Sequence, residues 1–175
     1  MLRLLTYFFP NTFFKPTIKI GDKEHNVNEE LCSLCKGRCC KKSGCHCSPE
    51  DFGKITYQSL KKKIDKGWIH IEYIEGKYID SKKGTYILRV RNKGEGKVGS
   101  YSKNGCLYLT DNGCFLNYED RPTGGKLLIP IVDKDGIGRC YNSYSLLDCC
   151  TEWYTYRRIL KRLVRYYKRK RKLVL

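Results

Sequence analysis

The stretch Leu31-Cys32-Ser33-Leu34-Cys35-Lys36-Gly37-Arg38-Cys39-Cys40, continued by Lys41-Lys42-Ser43-Gly44-Cys45-His46-Cys47, holds six of the chain's 11 cysteines. Its glycines and lysines suit tight turns and it has no apolar period, so it reads as a loop. Four cysteines within nine residues place several thiols within a few ångströms of one another. Thiolates are soft, strong ligands for zinc and for iron–sulfur clusters. The spacing Cys32-x2-Cys35-x3-Cys39-Cys40 is not that of a zinc ribbon, which has two separated C-x2-C knuckles. Consecutive side chains tend to diverge, so one of Cys39 and Cys40 is expected to serve a second metal, a cluster edge or the core. Cys45 and Cys47, flanking His46, add a group whose role the spacing leaves open.

Composition bounds how that loop is used. A chain of 175 residues with 41% hydrophobic and 13% aromatic content fits one compact domain with appendages. Many cysteines mean either a disulfide framework or a metal site. The apolar start Met1–Phe14 is interrupted by Pro10 and carries no small-residue cleavage signature, and no run is long enough to span a bilayer. A cytoplasmic setting is therefore expected, where reduced thiols favour metal over disulfides. The odd cysteine count agrees.

Working outward, residues 1–31 read as an extension. Thr17–Ile20 is expected as a strand, Gly21-Asp22 as a turn and His25–Val27 as the return. The aromatic cluster Tyr7, Phe8, Phe9, Phe13 and Phe14 could pack on the main domain. Beyond the loop, Ser48-Pro49-Glu50-Asp51 is a helix start, with Ser48 as cap and Pro49 in the first turn. Phe52, Ile55, Leu60 and Ile64 supply its apolar face, and Asp65-Lys66-Gly67 its end. From Trp68 to Val98 the pattern alternates, Trp68, His70 and Glu72 against Ile69, Ile71 and Tyr73, and Tyr86–Val90 forms another strand of an antiparallel meander. Cys106–Cys114 reads as a hairpin around Asp111-Asn112-Gly113. Leu127–Val132 is a strand interrupted by Pro130, and Asp133–Gly138 a turn. A final helix is expected from Ser145 to Lys170, with Leu146, Cys150, Trp153, Tyr156, Leu160, Leu163 and Tyr167 along one stripe. The fold class is α+β: a cysteine-cluster core (residues 32–143) of short helices and a β meander, closed by a long basic C-terminal helix (residues 144–175).

Within these elements, Leu31–Cys40 followed by Ser48-Pro49-Glu50-Asp51-Phe52 resembles the CxxCxxCC, or YkgJ-type, cysteine-cluster family, described as zinc- or iron-chelating. The second half of that pattern is similar too: Gly105-Cys106-Leu107-Tyr108-Leu109, Asn112-Gly113-Cys114 and Tyr118-Glu119-Asp120-Arg121-Pro122. The resemblance covers roughly residues 31–125. It implies that Cys32, Cys35, Cys39, Cys40, Cys106 and Cys114 ligate zinc, iron or an iron–sulfur cluster. The family commonly has a further cysteine where this chain has Gly125, and Cys140 is the candidate replacement.

Other residues have blander readings. Cys149 and Cys150 on the final helix are expected to pack as small hydrophobes, and His70 to be a packed or solvated strand residue. Glu119 and Asp120 are expected to cap, or to pair with Arg121, and so orient the Cys114 loop. Neither a G-x-G-x-x-G nor a P-loop motif occurs, so no nucleotide site of those kinds is read.

Charge adds a possible partner. The net charge is +17, and residues 151–175 hold ten Lys or Arg against one Glu. Arg157–Lys172 is therefore the candidate contact for nucleic acid or another polyanion, through the backbone rather than through base sequence. Three functions remain in play: a metal-binding protein with no reaction assigned, an iron–sulfur-dependent oxidoreductase or accessory to a modification enzyme, and a zinc-stabilised nucleic-acid-associated protein.

Overall fold

The computed structural model of the chain describes residues 17–20, 23–26, 37–79, 81–99, 104–132 and 138–172. The N-terminal aromatic cluster, Cys32 and Cys35 lie outside the described residues. Strands β1 (Thr17–Ile20) and β2 (Lys23–Asn26) pair antiparallel, Thr17 opposite Asn26, so the expected hairpin forms with its return two residues earlier than His25.

The cysteine loop ends in β3 (His46–Cys47) and a single 3-10 turn, Pro49–Phe52. The sequence predicts one helix from Ser48 to Asp65, but Gly53 takes φ +64 and reverses the chain after that turn. Such a backbone is open to glycine and costly for other residues. Helix α1 (Tyr57–Asp65) then starts under its own cap, Thr56, whose hydroxyl accepts from Ser59 N at 3.1 Å.

Strands β4 (Ile69–Ile74) and β5 (Thr85–Val90) pair antiparallel along their full length. Short β3 adds antiparallel to the other edge of β5, and β6 (Val98–Gly99) adds to β4, giving the order β3-β5-β4-β6. The β4–β6 pairing is parallel, a departure from the expected all-antiparallel meander. A turn at Asn92–Glu95, closed by Glu95 N donating to Asn92 O at 3.2 Å, redirects the chain so that it runs beside β4 in the same sense.

The alternation in β4 sets Trp68, His70 and Glu72 on one face and Ile69, Ile71 and Tyr73 on the other, with His70 expected to be packed or solvated. Both His70 and Glu72 are as fully buried as Ile69 and Ile71. Buried charge is tolerated where it is paired. Here Glu72 Oε2 lies 2.6 Å from Arg89 Nε, and His70 Nδ1 lies 2.9 Å from Glu95 Oε2.

After the sheet come the hairpin β7 (Leu109–Thr110) and β8 (Gly113–Cys114), as the Asp-Asn-Gly turn predicts, and a one-turn helix α2 (Thr123–Lys126) that the sequence does not signal. Strand β9 (Leu128–Val132) pairs antiparallel with β10 (Gly138–Asn142), Cys140 standing opposite Pro130.

The single C-terminal helix expected from Ser145 breaks into α3 (Leu146–Tyr154) and α4 (Arg157–Lys172). At the break Tyr156 N bonds Trp153 O at 3.0 Å, a tightened turn. The predicted stripe survives it: Cys150, Trp153, Leu160, Leu163 and Tyr167 are all buried against the sheet and α1. Trp153 anchors this core. Its indole Nε1 donates to Cys47 O at 2.7 Å, and Phe52 meets it edge-on at 5.6 Å while stacking on Trp68. Among the described residues, no helix is long and apolar enough to cross a membrane.

Candidate metal centre

The site begins with the turn that carries Cys39 and Cys40. Lys41 N bonds Gly37 O at 3.0 Å and Lys42 N bonds Cys39 O at 3.2 Å, one helical turn of backbone. In that conformation the two consecutive thiols do not diverge: Cys39 Sγ and Cys40 Sγ stand 3.9 Å apart. The loop is tied to the second cysteine segment by Cys106 N donating to Cys40 O at 2.7 Å. A buried Asn92 fastens both sides, accepting from Gly44 N at 2.6 Å and forming an isolated antiparallel bridge with Cys106.

Around this turn lies a cavity of about 70 Å³, walled by Cys39, Cys40, Cys45, Cys106 and Cys114 with Tyr108, Leu116 and Leu128. Among the described residues neither a carboxylate nor a histidine lines it, and Arg121 is the charged residue at its edge. Cys140, from β10, reaches the same cluster through a hydrogen bond with Cys39. Thiols of Cys140, Cys39, Cys40 and Cys106 thus form one connected chain, with Cys45 and Cys114 facing it across the cavity.

The hydrogen bonds within this chain set its electrostatics. Hydrogen bonding with Cys140 and then Cys40 holds the Cys39 thiol down to about 3, against the opposing effect of burial. Hydrogen bonding with Cys106 and Cys39, and then burial, holds the Cys40 thiol well above the ordinary range. Cys106, hydrogen-bonded to Cys40, is lowered to about 7. Burial, then the charges of Cys106 and Cys114, push Cys45 up to about 12.

His46, though flanked by Cys45 and Cys47, turns away. Its Nε2 accepts from Arg89 Nη2 at 2.6 Å, and burial and that guanidinium hold the imidazole down to about 3, hence neutral. Arg89 also donates to Ser43 Oγ at 2.9 Å, so one buried cation links the sheet's Glu72 to the loop that carries the thiols. Cys47 goes the other way, fully buried beside Cys149 and Trp153. Cys149 and Cys150 are buried in that same core, as expected for the final helix.

The far wall is held by α2. Asp51, placed by the 3-10 turn, accepts from Thr123 N at 3.0 Å and Thr123 Oγ1 at 2.8 Å, capping this short helix from 72 residues away. Ser48 N donates to the same carboxylate at 2.8 Å. The clasp presses Gly124 onto the backbone of His46, leaving no room there for a side chain.

The expected pairing of Glu119 or Asp120 with Arg121 does not form. Arg121 Nε donates to Leu116 O at 3.2 Å and its guanidinium lies over Tyr118, so the arginine itself braces the Cys114 segment. Glu119 is exposed and stands 3.8 Å from Lys126.

Of the sequence-predicted ligands, Cys39, Cys40, Cys106, Cys114 and Cys140 come together. Cys32 and Cys35 lie outside the described residues. The residue that sequence reasoning left unassigned is Cys45. Strand alternation does not single it out, since it would set Cys45 and Cys47 on one face, whereas Cys45 lines the cavity and Cys47 is buried in the core.

Among the described residues, no group of three or more Cys, His, Asp or Glu donors is yet drawn together tightly enough to enclose an ion. The thiols meet pairwise. In a tetrahedral zinc thiolate, Zn–S bonds of about 2.3 Å set neighbouring sulfurs about 3.8 Å apart. The 3.9 Å Cys39–Cys40 separation fits one edge of that tetrahedron. Comparison with protein-family models, curated proteins and solved structures returns no match to this chain.

Proposed function

We propose that this chain is a cysteine-cluster metal-binding protein that holds zinc, iron or an iron–sulfur cluster in the cavity lined by Cys39, Cys40, Cys106 and Cys114, with Cys140 joining through Cys39. The observation that carries this reading is the convergence, from separate loops and strands, of thiols on one cavity with no carboxylate or histidine lining it among the described residues. Thiol-only surroundings suit zinc, copper(I) and iron–sulfur centres over magnesium or calcium, which take oxygen ligands. Bound there, such a centre supplies cross-links between chain segments and, if iron, one-electron chemistry.

The resemblance to the YkgJ-type family supports the same reading. The match departs from the pattern in the family's name at one point, since three residues rather than two separate Cys35 from Cys39. The size of the cavity supports metal holding over turnover of an organic substrate, because small-molecule pockets measure about 300–1,000 Å³. Anaerobic purification followed by metal analysis and a visible spectrum tests the proposal. A stoichiometric, tightly held transition metal is the expected result; a protein free of metal that takes up none on addition of Zn²⁺ or Fe²⁺ sinks it. A brown chromophore would assign iron, and a colourless zinc protein would remove the oxidoreductase reading.

A second reading concerns α4. Its buried side, Leu160, Leu163, Val164 and Tyr167, leaves Arg158, Lys161, Arg162, Arg165, Lys168, Arg169 and Lys170 exposed, with no acidic residue anywhere in Arg157–Lys172. A cationic groove of Arg162, Arg165, Arg169 and Lys170 with Tyr57 and Tyr166 runs along it. Such a face suits a polyanion such as RNA, gripped through phosphates and therefore salt-sensitive. Retention on heparin that survives replacing Arg162, Arg165 and Arg169 by Gln would exclude this face.

A further inference from the structure

We infer that Cys45 is a direct ligand of the metal centre, and that Gly125 is glycine because the Cys45 thiol occupies the space its side chain would take. The inference rests on the metal-binding reading above and extends its ligand set to a residue that neither spacing nor resemblance assigned.

Three observations carry it. Cys45 lines the same cavity as Cys39, Cys40, Cys106 and Cys114, whereas its strand neighbour Cys47 is packed beside Trp153 and Cys149. A Cβ built on Gly125 would stand 3.2 Å from Cys45 Sγ and 3.3 Å from Arg121 Cβ, so residue 125 and the Cys45 thiol share one volume at the cavity wall. The surrounding architecture fixes Cys45 on that spot from both sides. Cys45 O accepts from Val90 N at 3.0 Å on the sheet side, and the Asp51–Thr123 clasp holds α2 against the other. A thiol kept this rigid, in a cavity whose other sulfurs are the proposed ligands, has little else to bind. Its hydrophobic packing would be served equally by the Val that the core uses at positions 90 and 164. On metal entry each thiol gives its proton to water as its sulfur–metal bond forms.

The geometry also supplies a swap. Gly125 lies in α2 and is not among the glycines with positive φ, so the backbone permits a side chain there; with Cys45 Sγ gone, Arg121 Cβ at 3.3 Å is the close contact that remains and must give by a few tenths of an ångström. In Cys45→Ala/Gly125→Cys, a thiol returns to the same volume from the opposite wall.

The test uses the full chain loaded with Co²⁺ and with Zn²⁺. Cys45→Ala should weaken sulfur-to-cobalt charge-transfer absorption and lower Zn²⁺ affinity by more than the roughly 10–100-fold typical of losing an outer-shell partner. The double variant should recover both, and Cys47→Ala should change neither. Unchanged absorption and affinity in Cys45→Ala, while wild type binds metal, overturns the inference and leaves the metal-binding reading standing. A wild type that binds no metal overturns both. If Cys45→Ala does not fold, ¹¹³Cd-loaded wild type decides. A scalar coupling from cadmium to the Cys45 Hβ protons is expected, and its absence while Cys40 and Cys106 show theirs overturns the inference.

Discussion

Two groups of cysteines in this molecule have opposite surroundings. Cys47, Cys149 and Cys150 sit in the apolar core with Trp153, packed among the buried Leu, Ile and Val of the sheet and the neighbouring helices. Cys39, Cys40, Cys45, Cys106 and Cys114 line a cavity on turns and strand ends, and Cys140, Cys39, Cys40 and Cys106 are linked by hydrogen bonds. The first group behaves as small hydrophobes, each held in the neutral form by burial. In the second, neighbouring thiols donate to one another, so some are driven toward thiolate while others are held neutral. Backbone placement, not residue type, decides which chemistry a cysteine has here. The boundary runs through one strand, between Cys45 and Cys47.

If the division is real, damage on one side should leave the other intact. Trp153→Ala attacks the core alone and should lower unfolding free energy by about 3–5 kcal/mol in urea titrations, with metal stoichiometry of the surviving folded protein unchanged. Arg89 spans the boundary, linking Glu72 to Ser43 and His46. Arg89→Ala leaves Glu72 buried without its partner and should cost about 3 kcal/mol, and, unlike Trp153→Ala, it should also weaken metal binding by loosening the Cys45 loop. On the core side, Cys149→Ser places a hydroxyl where a thiol was fully buried and should cost about 1–3 kcal/mol, again with full metal occupancy; loss of metal there would collapse the distinction. On the cavity side, Cys106→Ser should cost the apoprotein under about 1 kcal/mol yet sharply reduce Zn²⁺ affinity.

The smallest expected effect is one of pH. Burial, then the charges of Arg89 and Arg91, lower His70 to about 4 although Glu95 opposes them. The unfolded chain binds that proton near pH 6.5 while the folded chain does not, so this contribution falls as pH drops from about 6.5 toward 4. Glu72, raised by burial, acts in the opposite sense just above the ordinary carboxylate range. The slope should therefore be shallow, and His70→Gln should flatten it further without touching metal uptake.

Much of this arrangement is legible in the residues. The helical stripe from Cys150 to Tyr167, the Asp111-Asn112-Gly113 hairpin and the β4–β5 pair follow from local period and turn chemistry, which the sequence states directly. What is hidden depends on partners distant in the chain. Nothing near His70 and Glu72 announces that Arg89 and Glu95 will allow them to be buried. Nothing near Thr123 announces a helix, because its cap is Asp51. The break after Tyr154 is likewise set by Trp153 locking onto the Cys47 carbonyl rather than by a proline or glycine. For the site, spacing named the dense loop and resemblance named Cys106 and Cys114. Cys45 emerged only once α2 was seen against β3, since a glycine that makes room is silent in a single sequence.

The thiol chain joining Cys140, Cys39, Cys40 and Cys106 also has a timetable. Cys39 and Cys140 are about a hundred residues apart, so at roughly 5–20 residues per second the ribosome needs about 5–20 s to deliver both. Throughout that interval the early thiols are exposed on an unfinished chain, open to oxidation and to whatever metal is nearest. Closing so long a loop is slow compared with local folding. The order of delivery is therefore built into the chain: the Cys140 thiol arrives after those of Cys39, Cys40, Cys45, Cys106 and Cys114, and α3 and α4, which complete the core, follow it.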